Sequence, residues 1–158
     1  MRKGQIASID LFIAITIFVM LLGVVLHAWN LYNMRLQDNI EYERMQLAAF
    51  RVSDLLAKST GYPGAWEENP GAAETLGLAS SGRVLSASKV SAFASMGYDV
   101  SRQKLKLVPY EYRFRIKQLS NNVTTALGLP VSGDLSVTAE RYVSYNNEKA
   151  IMEFTVWK

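Results

Sequence analysis

The 158-residue chain contains no cysteine and one histidine, His27. Without cysteine there is no disulfide scaffold, no thiolate zinc site and no thiol nucleophile. A single histidine leaves almost nothing from which to build a His-based metal cluster or a Ser-His-Asp triad. Charge of one sign is also scarce. Seventeen Lys and Arg against 14 Asp and Glu give a net charge of +3, too small an excess for the concentrated basic face of a nucleic-acid binder. Charged residues make up 20% and apolar ones 49%, so the chain is not a disordered tail. The length suits one domain. A mean hydropathy of +0.04 is high for this charge content, and the cause is local.

The apolar residues crowd toward the N-terminus. Leu11 to Leu26 reads LFIAITIFVMLLGVVL, with no charge and one hydroxyl, Thr16. With His27, Ala28 and Trp29 the run reaches 19 residues. At 1.5 Å per residue this is a helix of about 28 Å, just enough for a bilayer core of about 30 Å. Arg2 and Lys3 precede the run, and the next positive charge is Arg35. The positive-inside rule puts residues 1–10 in the cytoplasm and the remainder outside. Trp29 and Tyr32 then fall at the outer interface, where amphipathic aromatics favour the headgroup level. His27 lies at the same edge and reads as interfacial rather than as a ligand.

Three segments could give this pattern. A cleaved secretory signal needs a shorter apolar core and a small-x-small site, which Val24 to Ala28 supplies poorly. A plain uncleaved anchor fits. So does a retained apolar helix behind a short leader, in which two basic residues and a glycine precede a glutamine and an acidic residue.

Arg2-Lys3-Gly4 followed by Gln5-Ile6-Ala7-Ser8-Ile9-Asp10 resembles the archaeal class III signal peptide of type IV pilin-like surface proteins. The resemblance implies cleavage between Gly4 and Gln5 by a membrane prepilin peptidase and retention of the apolar segment as a filament core. It also implies that Asp10 pairs with the N-terminal amine of a neighbouring subunit. Such an amine is costly beside apolar helices unless a carboxylate offsets it. Asp10 is the sixth residue after the cut, whereas the family usually has its acidic residue fifth. Asp10 also reads as an N-cap for a helix starting at Leu11.

The helix is expected to continue beyond the membrane. From Asn30 to Lys58 there is no Pro or Gly. Leu31, Met34, Tyr42, Met45, Ala48, Ala49, Val52, Leu55 and Leu56 recur at helical spacing, interrupted at Asp38. Asp38, Glu41, Glu43 and Arg44 read as its polar face. Gly61 and Pro63 end it. Residues 57–80 read as a loop pinned by Tyr62 and Trp66. Their GYPxxWE pattern resembles a segment of single-pass, pilin-like surface proteins of methanogenic and related archaea. Glu67, Glu68 and Glu74 are too loosely placed for a metal or an acid/base pair.

Ser86 is expected to cap a short helix from Ala87 to about Met96, with Val90 and Phe93 inward, and 99–107 to add another turn. From Pro109 the period becomes two. Tyr110, Tyr112, Phe114 and Ile116 alternate with Glu111, Arg113, Arg115 and Lys117, predicting a half-buried strand with a basic outer face. Asn121-Asn122 opens a loop reaching Gly133. Strands follow at about 135–145 and 149–157, joined by Asn146-Asn147.

The expected fold is α+β: a long N-terminal helix, half membrane-spanning and half amphipathic, packed on a small antiparallel sheet. The expected organisation is a leader at 1–4, a transmembrane or filament-core helix at 5–29 and an extracytoplasmic domain at 30–158. Arg113, Arg115 and Lys117, helped by Arg102, Lys104 and Lys106, form a candidate interaction face for anionic polymers, headgroups or an acidic patch of a neighbour. The alternative is a solvated strand face that deters edge pairing. Asn122-Val123-Thr124 is a candidate N-glycosylation sequon in an exposed loop. There is no phosphate loop, nucleophile elbow or repeat, so no enzyme, cofactor or metal is expected.

The function implied is a structural subunit, a minor pilin or pseudopilin, of an archaeal type IV pilus-like filament. Its partners would be the membrane, the prepilin peptidase, other pilin-like subunits and the pilus assembly machinery, with no nucleic acid. The alternative is a monomeric, single-pass, membrane-anchored surface binding protein.

Overall fold

A computed structural model of the chain describes residues 3–119, 123–133 and 135–158, with side chains except at 3–8, 123 and 124. The order is helix α1 (Lys3–Lys58), strands β1 (Ala79–Ser81) and β2 (Val84–Leu85), helices α2 (Ala87–Ser95) and α3 (Tyr98–Lys104), then strands β3 (Glu111–Gln118), β4 (Val123–Gly128), β5 (Ser136–Tyr145) and β6 (Glu148–Trp157). The class is α+β. The chain divides into two units, Met1–Glu41 and Tyr42–Lys158.

The first unit is the N-terminal part of α1. It starts at Lys3, eight residues before Leu11, so Asp10 is not an N-cap. Residues 5–9 contain no Gly, Pro or Asn and give the chain no reason to start later. Leu31 and Met34, expected on a buried stripe, are exposed, as are all large apolar residues from Ile9 to Leu36.

The second unit holds the core. Met45, Ala49, Val52 and Leu56 of α1 are buried against the inner face of one six-stranded sheet. Its order is β1-β2-β5-β6-β3-β4. All neighbours are antiparallel except β2 and β5. The period-two pattern holds: Tyr112, Phe114 and Ile116 of β3 lie opposite Val156, Phe154 and Met152 of β6, all buried. Phe93 of α2 meets Phe114 edge to face, with centroids 5.3 Å apart. Ser86 caps α2, its side chain accepting from the Lys89 amide. The β5–β6 hairpin turns on Asn146 and Asn147, at φ 52° and 62°, the left-handed pair a two-residue hairpin loop needs.

Helix α1 ends at Lys58, which pairs with Asp54 at 2.6 Å, and Gly61 follows at φ 79°. Two expectations are corrected. The segment between Asn122 and Gly133 is not all loop, because Val123–Gly128 forms β4 against β3. The sheet also gains the short β1–β2 hairpin, taken from the end of the expected 57–80 loop.

Candidate functional site

The apolar part of α1 has no cover within its own unit. Phe12 is 76% exposed and Leu21 60%. The one hydroxyl in the run, Thr16, donates back to the Phe12 carbonyl at 2.8 Å, so it presents little unmet polarity. Asp10 is exposed within the helix. By length and composition the helix can cross a membrane. Apolar surface of this extent on water is not stable and must be covered by lipid or protein. Trp29, Tyr32 and Arg35 are exposed just past the C-terminal end of the apolar run. Gly4 and Gln5 lie in the first turns of α1, and their side chains are outside the described residues. Asn122 is also outside them.

The basic row takes a different form from the expected one. Arg113, Arg115 and Lys117 project from the sheet face opposite the core, but β3 lies between β6 and β4 and guards no edge. Arg115 Nη2 and Lys117 Nζ each lie 2.5 Å from a carboxylate oxygen of Glu153, whose side chain is 7% exposed. Two of the three cations therefore share one buried carboxylate, which offsets one of their two charges. Glu153 was hidden in an otherwise apolar strand sequence, AIMEFTVW. Its signal was the charge itself, at the outward parity of β6 and opposite Arg115 in register.

Arg102, Lys104 and Lys106 do not extend the row. Arg102 donates to the carbonyls of Tyr110 and Pro109 and pairs with Glu111 at 3.0 Å. Lys104 donates to the carbonyls of Gly71 and Ala73. Both are fixing loops. Lys106 sits at φ 54° just past α3.

The two loop aromatics separate. Trp66 is fully buried and Tyr62 is 62% exposed. The loop is also held by Lys89, which the sequence did not mark. Its buried ammonium donates to the Thr60 and Gly64 carbonyls, each at 2.7 Å, with Glu67 at 4.0 Å.

The polar cluster at α3 is structural chemistry as well. Tyr98 donates to Glu111 at 2.5 Å and accepts from the Tyr112 amide. Burial, with help from the Glu111 hydrogen bond, pushes the Tyr98 hydroxyl up to about 12. Burial does the same to Tyr112, against an opposing hydrogen bond with Ser101. Neither is a plausible base near neutral pH. Among the described residues no group of three or more His, Asp or Glu is placed to hold a metal ion.

A groove of about 430 Å³ on the outer sheet face is lined by Arg83, Val84, Leu119, Tyr142, Ser144 and Lys149, with Val143 and Ala150. Its walls are mainly apolar and no acid lines it. Nothing in the sequence pattern marked it, since it joins β2, β5, β6 and the residue after β3.

No protein-family model, curated protein or solved structure matches the chain.

Proposed function

We propose that the chain is a structural subunit of a type IV pilus-like surface filament, anchored in the membrane until a prepilin peptidase cuts between Gly4 and Gln5. The observation that carries this reading is one continuous helix, Lys3–Lys58. It is apolar and uncovered over residues 11–26, and buried on one side against a sheet from Met45 to Leu56. A plain anchor needs no helical continuity between membrane segment and domain core, whereas a filament subunit uses one rigid element for both.

The mechanism is exchange of apolar surroundings. The 11–26 segment leaves lipid and packs against the same segment of other copies, at little hydrophobic cost because both environments are apolar. Packing detail and the few polar groups must then supply specificity. In this reading Asp10 compensates the new α-amine of a neighbour's Gln5.

The test is the intact mass of the full chain, expressed with its native leader peptidase and extracted from membranes, beside Gly4→Val. A mature terminus at Gln5, lost in the variant together with surface filaments, supports the proposal. A terminus at Met1, with the protein displayed equally in both, favours the alternative of a tethered surface binding protein.

A further inference from the structure

We infer that the groove on the outer sheet face is a docking site for the Tyr62–Glu74 edge of a second copy of this chain. Four observations carry this. The groove has an apolar floor and two exposed cations at its rim, Arg83 and Lys149. Neither makes an ion pair among the described residues, and no acid lines the groove.

The complement lies elsewhere on the same unit. Residues 59–82 contain Glu67, Glu68 and Glu74 and no Lys or Arg; Lys89 faces Glu67 and Lys104 reaches the Gly71 and Ala73 carbonyls, so Glu68 and Glu74 are the segment's exposed acids. Tyr62 presents a 62% exposed ring there. Glu74 is fixed beside it, because the amides of Glu74 and Thr75 both donate to the Tyr62 carbonyl, at 2.9 and 3.2 Å.

An exposed tyrosine flanked by an exposed carboxylate on a fixed backbone fits an apolar slot with a cationic rim. The ring supplies contact area at small entropic cost, and charge complementarity sets orientation. The two surfaces are different patches of one unit. The contact is therefore heterologous: each copy offers its groove to one neighbour and its Tyr62 edge to another, giving an open chain or a ring. Backbone clamps hold both sides. Val84 and Leu85 pair with Ser144 and Tyr145 at the groove, while Lys89 and Trp66 fix the 60–77 loop. Little ordering is left to be done on docking. The inference requires copies held side by side, and does not require that the leader be cut.

The absence of native cysteine makes the test clean. Thr75→Cys and Ser144→Cys are placed in the full chain, in membranes, and treated with a short thiol cross-linker. Together in one chain they are expected to give a ladder of multimers. Mixed single variants should give dimers only, and either single variant alone should stay monomeric. Adding Glu74→Lys should cut the cross-linked yield roughly tenfold, and Arg83→Glu with Lys149→Glu should restore it.

Absence of a ladder, or a ladder insensitive to Glu74→Lys, overturns the inference. So does a photo-crosslinker at Ser144 that captures lipid or polysaccharide in place of residues 59–82. N-terminal analysis of the same sample separates the two claims. Filaments with a Gln5 terminus and no ladder sink only the docking contact. A charge-dependent ladder from chains that still begin at Met1 sinks only the pilin reading.

Discussion

Trp66 donates its indole N–H to the carbonyl oxygen of Gly77, 2.9 Å away, and both residues are buried. The bond closes the 61–77 loop over the end of α1. It works only because Gly77 has no side chain: a Cβ there would lie 2.3 Å from the Ser59 carbonyl oxygen and 2.4 Å from the Gly61 nitrogen. Those are backbone atoms, so relief requires moving the chain. Gly77→Ala is expected to destabilise the second unit by about 1–3 kcal/mol, the usual range for overpacking. Thermal unfolding checks this, and an unchanged midpoint would mean that the loop yields freely.

Lys89 makes a second clamp on the same loop. Its ammonium is buried and bonded to two carbonyls. Lys89→Met keeps the packing volume and leaves the Thr60 and Gly64 oxygens without that donor. The expected loss is about 1–3 kcal/mol. Faster proteolysis between residues 60 and 77 should accompany it, because that loop loses its tether. A variant as resistant as the parent would show that water replaces the ammonium fully.

Glu153 decides the character of the outer sheet face. In Glu153→Gln, Arg115 and Lys117 lose their shared counter-charge beside Arg113. Stability should fall by about 1–3 kcal/mol at neutral pH, between the values for exposed and buried pairs. Added salt should recover part of it by screening the cations. The same variant should bind anionic vesicles more strongly than the parent. Equal binding would show that the parent row is already available despite its carboxylate.

Alkaline titration addresses the α3 cluster. Tyr98 and Tyr112 are raised from 10.0 to about 12. Between those values the unfolded chain releases protons that the folded chain keeps. Their contribution is therefore complete below pH 10 and lost as pH rises toward 12. Tyrosinate absorbance should show Tyr98 and Tyr112 ionising near 12, together with loss of structure. Tyr98→Phe should remove part of the slope. Ionisation of Tyr98 and Tyr112 near 10 in folded protein would contradict the burial of this pair.

The parts of the fold legible in the sequence were those governed by local periodicity. Period two placed Tyr112, Phe114 and Ile116, and helical spacing placed Met45, Ala49, Val52 and Leu56. Asn146-Asn147 marked the hairpin and Ser86 the start of α2. What escaped depended on pairings between distant residues. β4 reads as a loop because VTTALG has no strict alternation and ends in Gly128, and its pairing with β3 decides it. The fate of the basic row turned on Glu153, some forty residues away. Leu31 and Met34 matched a buried spacing, but nothing in this chain covers them. The groove has no local signature at all, because three strands and the residue after β3 meet to form it.

The last strand in the chain, β6, lies in the middle of the sheet, between β5 and β3. The β1-β2-β5 half and the β3-β4 half are joined through it alone. Until residues 148–157 have arrived, the earlier strands have no shared partner, and Tyr112, Phe114 and Ile116 lack the Val156, Phe154 and Met152 that lie opposite them. Closure of the six-stranded sheet therefore waits for residues 148–157, however early the other strands form.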